Sequence, residues 1–280
     1  DARGERREGG LPAAVERAAR RGVVRSGFRT VEEGEQDAGI VGGRGDDRGE
    51  RLLVEVRECL ADQRLAASLG SLASAQAPGH GRVLQFAAAR PREGTSTVAR
   101  EFARFAAAHA RRPVWLVDLD LTGPGQHAAI AAQPSHYGRL GAEAAASPDG
   151  SIFFTVRPQA RDERGLPTPD ARYLVAHPVG GPRLWVTKFR RERLTPEQSV
   201  HITPTPAYWN AMRRHADLII VDAPSSERSQ ASVMLAPFMD ATVLVVAADA
   251  GDVRPPAVLK SALNAGGGRT AGLYFNRVEI

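Results

Sequence analysis

Apolar residues in this chain gather in short, dense runs after position 80. Val83 to Ala88, Val114 to Val117, Leu218 to Val221, Thr242 to Ala247 and Ala271 to Phe275 are nearly unbroken, as strands covered on both faces would be. Between the first two runs, Ser96 to Ala110 carries Val98, Phe102 and Phe105 at helical spacing. Helical pattern returns at Pro206 to His215, Ser232 to Met239 and Pro255 to Ala265, and an alanine-rich stretch lies within Thr122 to Ala146. This alternation predicts an α/β fold, a mostly parallel sheet sandwiched by helices. Ile152 to Val156, Tyr173 to Ala176 and Leu184 to Thr187 read as further strands. The first two are expected to pair as a hairpin at the sheet edge, the third to join the main sheet. Together they make a small β insertion around 151–187.

The pattern upstream is different. Leu52, Leu53, Val56, Cys59 and Leu60 share one helical face, which predicts a helix over Arg51 to Ser74. Residues 1–50 are rich in Gly, Arg and Glu and poor in apolar side chains. They offer too little surface to offset their ordering entropy and are expected to be a mostly disordered leader, with a short helix near Pro12 to Arg21. The chain therefore divides into this leader and one domain over 51–280.

Composition narrows the function classes. Cys59 is the only cysteine, so an intrachain disulfide or cysteine-based metal site is ruled out, which fits a reducing compartment. No apolar run approaches the roughly 18 residues of a membrane span. The expected location is cytoplasmic, at the inner face of a membrane only through a partner. The formal charge of +5 is mild, and arginine carries it: Lys188 and Lys260 are the only lysines. Without interleaved aromatic and basic residues, no nucleic-acid partner is expected.

The candidate chemistry lies at strand ends. The first strand runs into Arg90-Pro91-Arg92-Glu93-Gly94-Thr95-Ser96-Thr97 and then a helix, the layout of a phosphate-binding P-loop, or Walker motif. Such a loop ends Gly-Lys-Ser/Thr, and here Thr95 stands where the lysine belongs. The second strand ends in Asp118-Leu119-Asp120-Leu121, a later one in Asp222-Ala223-Pro224, and the last in Asn276-Arg277. Carboxyl ends of parallel strands are where α/β folds place ligands. A single such acid is ordinarily a turn cap; three on neighbouring strands favour a metal site. The histidines show no metal-ligand spacing, and no Gly-x-Ser-x-Gly marks a serine nucleophile.

In order and spacing, these motifs over about residues 50–280 resemble the cytoplasmic domain of the bacterial tyrosine kinases of capsule and exopolysaccharide biosynthesis, deviant P-loop ATPases related to the Min and Par proteins. The resemblance implies a P-loop NTPase-like fold. It implies that Arg92, Glu93, Gly94, Thr95, Ser96 and Thr97 face ATP or ADP, with Asn276 near the base. It implies that Ser96, Asp120 and Asp222 serve Mg²⁺, and that Asp118 and Asp120 occupy catalytic positions. It also implies a membrane-embedded polysaccharide chain-length regulator as partner, and allows a homo-oligomer. The departures are Arg92 for a glycine, Thr95 for the lysine and Thr122 for an arginine. The C-terminal tyrosine cluster the family phosphorylates is not matched by Tyr137, Tyr173, Tyr208 and Tyr274. The preferred expectation is therefore a pseudokinase-like regulator with a degenerate ATP site. The alternatives are an active kinase or ATPase using Arg92 or Arg90 as substitute cation, and a partitioning or positioning ATPase relative, which would need a second lysine that Ala89-Arg90-Pro91 lacks.

Overall fold

The computed structural model describes residues 28–29, 80–123, 125–250 and 252–277. The helix expected over Arg51 to Ser74, with Cys59, and the one near Pro12 to Arg21 lie outside the described residues. The elements in chain order are β1 (Phe28–Arg29), β2 (Arg82–Ala87), α1 (Thr95–His109), β3 (Val114–Asp118), α2 (Gly125–Ala131), α3 (Pro134–Tyr137), β4 (Ala144–Ala145), β5 (Phe154–Arg157), β6 (Leu174–Val179), β7 (Leu184–Phe189), β8 (Ser199–Ile202), α4 (Ala207–His215), β9 (Leu218–Asp222), α5 (Ala231–Leu235), β10 (Ala241–Ala247), α6 (Arg254–Ala265) and β11 (Thr270–Asn276).

Nine strands form one sheet in the order β1-β11-β10-β2-β9-β3-β7-β6-β4. The six from β11 to β7 run parallel, and β1, β6 and β4 join antiparallel. Successive residues alternate between faces, as the pleat requires. Leu84, Phe86, Leu116, Ile220, Val243 and Val245 pack with Val98 and Phe102 of α1 and Ile130 of α2. Val83, Ala87, Val117, Ile219, Val221 and Leu244 pack with Tyr208, Trp209 and Met212 of α4, Leu235 of α5 and Leu259 and Leu263 of α6. The expected α/β sandwich is what forms. Phe102 is buried against Phe86, with ring centroids 5.5 Å apart. Phe105 is only half-buried and lies against the exposed His109.

The β extension pairs differently from expectation. Phe154–Arg157 does not meet Tyr173–Ala176; it pairs antiparallel with Ser199–Ile202 in a separate two-stranded sheet. The physical reason is aromatic packing. Phe153 is fully buried against Tyr208 and Trp209 of α4, and Phe154, also fully buried, packs on Phe153 and Phe189, which holds the start of β5 against α4 rather than in register with β6. β6 instead forms a hairpin with β7, across Gly180 and Gly181, both at positive φ. β7 joins the main sheet beside β3, as expected, with Trp115 stacked on Trp185 at 5.4 Å.

Candidate functional site

The parallel register sets the site. Asp118 at the end of β3 and Asp222 at the end of β9 are paired residues of adjacent strands, so their carboxylates emerge side by side. β2 lies on the other side of β9 and delivers Arg90 to Thr97 to the same sheet edge. Arg90, Pro91, Arg92, Glu93, Gly94, Thr95, Ser96, Thr97, Asp118, Asp120 and Asp222 together line a cleft of about 400 Å³. Asn276 is not among its lining residues. Its amide Nδ2 instead donates to the Glu93 carbonyl at 2.9 Å, and it is buried against Gly94. Asn276 thus holds the loop from behind.

The loop takes its shape from backbone chemistry. Gly94 caps α1 at φ 89°, and a Cβ there would meet Asn276 Nδ2 at 2.0 Å. Glu93 is buried and accepts from the Arg90 N–H at 2.9 Å. Arg92 has φ 67°, a left-handed conformation that glycine adopts freely and arginine does not. Its carbonyl accepts from Arg277 Nη2 at 2.6 Å, and its side chain is exposed. The first N–H groups of α1 have no acceptor within the helix and face the cleft, the usual basis for anion binding. Thr95 lines the cleft but is itself buried, and it brings no charge.

The carboxylates are largely engaged by the chain itself. Asp120 accepts from the Thr122 N–H and hydroxyl at 3.1 and 2.6 Å, and from Arg228 Nη2 at 2.8 Å. Burial alone would raise its pKa, but these donors outweigh it and hold the carboxyl below its ordinary range. Asp118 accepts from the Asp120 and Gln126 N–H groups at 2.9 and 2.7 Å. Burial, then the neighbouring charge of Asp222, push it up to about 7. Burial likewise pushes Asp222 up to about 6, against the Ser96 hydroxyl and the Gln126 amide, which favour its charged form.

Gln126 is the residue that sequence reasoning missed. It is 1% exposed. Its Nε2 donates to Asp222 Oδ2 at 2.6 Å and to the Ser96 carbonyl at 2.8 Å, while its Oε1 accepts from Arg100 Nη1 at 2.8 Å. Arg100, on α1, is also buried. Neither it nor Arg228 carries a motif, so only the fold brings them to the acids. Arg90, one of the two substitute cations considered, is drawn away to Asp252 at 3.1 Å and Glu227 at 3.8 Å.

These surroundings bear on Mg²⁺. Asp222 Oδ1 is buried without a well-formed hydrogen bond, the one observation that suits a cation, although the Ser96 hydroxyl lies near enough to stabilise its charge. Asp120, however, is turned to Thr122 and Arg228, and Gln126 holds the other Asp222 oxygen. The implied set of Ser96, Asp120 and Asp222 therefore does not fit Mg²⁺ in this arrangement.

No family model matches the chain, and no curated protein matches it. Several solved structures are distantly similar to it. The kinase domain of the Escherichia coli tyrosine kinase ETK is 14% identical, over 80% of this chain and 78% of that one, with a TM-score of 0.48. The BceF tyrosine kinase domain is 16% identical, over 81% and 78%, with a TM-score of 0.46. The MinD cell division protein of Aquifex aeolicus is 16% identical, over 71% and 70%, with a TM-score of 0.42. Each likeness is distant, with a TM-score under 0.5. No helix among the described residues is long and apolar enough to cross a membrane.

Proposed function

We propose that this chain is a regulatory protein of exopolysaccharide or capsule biosynthesis or export, with a tyrosine-kinase-like P-loop domain that has lost phosphoryl transfer. The observation that carries the loss is that the site lacks its mobile charges. Thr95 replaces the lysine, Gln126 engages Asp222, and Arg228 engages Asp120. Phosphoryl transfer is catalysed almost entirely by positioning and charge stabilisation, and a threonine hydroxyl cannot replace an ammonium against the β- and γ-phosphates. The loop N–H groups remain, so a nucleotide binds weakly, without the charge needed for chemistry.

The pathway and partner rest on the motif resemblance. In this reading the domain works at the inner face of the membrane by docking a membrane-embedded chain-length regulator, and its retained fold is the docking body. Deleting the gene should change the amount or length of the secreted polysaccharide, and the intact chain should restore it. Unchanged polysaccharide on deletion would remove this reading.

The second reading, an active kinase or ATPase with an arginine in the lysine's role, has one specific observation in its favour. Arg228 lines the cleft, and about half of its side chain is exposed. It ranks lower because reaching a phosphate would cost Asp120 its ion pair with Arg228.

A further inference from the structure

Two buried carboxylates standing side by side need positive charge nearby. In this chain the Asp120 charge is met by Arg228, which leaves Asp118 and Asp222. The cation whose charge acts on Asp222 is Arg100, which makes no hydrogen bond or ion pair with either acid. It reaches them through one intervening side chain: Arg100 Nη1 donates to Gln126 Oε1 at 2.8 Å, and Gln126 Nε2 donates to Asp222 Oδ2 at 2.6 Å. The Gln126 backbone N–H meanwhile donates to Asp118 Oδ2 at 2.7 Å, so a single residue touches both acids. A carboxamide aligned this way passes the guanidinium's polarisation on to the carboxylate.

The relay is held rigidly from behind. Arg100 Nε donates to the Tyr137 hydroxyl at 3.0 Å, and its guanidinium lies 5.4 Å from the centre of that ring. The Tyr137 hydroxyl donates to Glu101 Oε1 at 2.7 Å. Glu101 also accepts from Arg104 at 3.1 Å and contacts His136 Nε2 at 2.8 Å. Burial would raise the Glu101 pKa, but these donors bring it below its usual range, so Glu101 stays anionic. The Gln126 amide itself is fixed by its second bond, to the Ser96 carbonyl at 2.8 Å. Gly125 lets the chain turn in this close: it has φ 55°, and a Cβ there would meet Asp118 Oδ2 at 2.1 Å.

We propose that Arg100, acting through Gln126, is a built-in counter-charge for Asp222, which replaces a divalent cation and makes the cleft select uncomplexed anions over Mg²⁺-complexed ones. A cation approaching the open Asp222 Oδ1 would meet a carboxylate whose Oδ2 is already held by the Gln126 amide and whose charge is already offset by Arg100. Desolvation and like-charge repulsion both oppose this. The inference deepens the reading of a lapsed phosphoryl-transfer site by assigning the residues that close it to metal.

The test is Mn²⁺ binding to the full chain without nucleotide, followed by electron paramagnetic resonance, after the melting curve of each variant has shown that it folds. The wild-type chain should bind Mn²⁺ only weakly, at millimolar concentration. Gln126→Ala and Arg100→Met should each bind it at least about tenfold more tightly, and Arg100→Lys, which keeps the charge, should stay near wild type. Arg100→Met lies behind the acids and stands in if Gln126→Ala does not fold. Wild-type Mn²⁺ affinity equal to that of both variants would overturn the proposal. Failure of the lapsed-transfer reading would show separately, as phosphate transfer from Mg²⁺-ATP, and would not alter this comparison.

Discussion

Replacing Asp118 by Asn should stabilise the protein at mildly alkaline pH. Asp118 is buried, and its pKa rises from 3.8 to about 7, chiefly by burial and then by the Asp222 charge beside it. Across that window the native state keeps a proton that the unfolded chain has already lost, so stability falls as pH rises from about 4 to about 7. A rise of about three units corresponds to about 4 kcal/mol lost by pH 8. Asn removes that charge. It also weakens the bonds that Asp118 accepts from the Asp120 and Gln126 N–H groups, at a cost of about 1–2 kcal/mol. The net gain at pH 8 is about 2 kcal/mol, or roughly 4–8 °C in Tm for a domain of this size. At pH 4.5 the acid is already protonated in the folded protein, so only the lost hydrogen bonds remain and Asn should be neutral or worse. Melting curves from pH 4.5 to 8.5 on both proteins read this out. Parallel profiles, or an Asn variant that melts lower at pH 8, would refute the view of Asp118 as a strained buried acid.

The same geometry yields further expectations. Thr95→Lys should raise ATP affinity by at least about tenfold in calorimetry, because it supplies a charge-assisted contact to phosphate; unchanged affinity would locate the defect in the loop's shape instead. Gly94→Ala should destabilise by about 1–3 kcal/mol in denaturant titration, since it combines φ 89° with a 2.0 Å approach to Asn276. Phe153→Ala should cost about 3–5 kcal/mol, because Phe153 is fully buried among Phe154, Tyr208 and Trp209; a small loss would mean that the β5–β8 sheet is not anchored by these rings.

The α/β architecture was legible because β2, β3, β9 and β10 are buried on both faces and so read as unbroken apolar runs, while β11 keeps an apolar run although only alternate residues are buried. The loop from Arg90 to Thr97 and the three aspartates were legible as strand-end punctuation, and the structure brings all of them to one cleft. The pairing of β5 with β8 was not legible. Two short strands about 45 residues apart meet because Phe153 is pulled onto α4 and Phe154 onto Phe189, and no local period encodes that. Asn276 was placed near a base by resemblance, yet it turns its amide to the Glu93 carbonyl. Gln126 and Arg100 escaped for a different reason. Each sits in an ordinary helical context, and their meaning arises only where α1 and α2 converge on the acids.

In the proposed reading the cleft no longer transfers phosphate. Its most direct test is incubation of the purified full chain with Mg²⁺ and γ-labelled ATP, following label on protein tyrosine and as free phosphate. The account predicts neither product above the protein-free background. Sustained, protein-dependent transfer or release that is abolished by Asp118→Asn would contradict it.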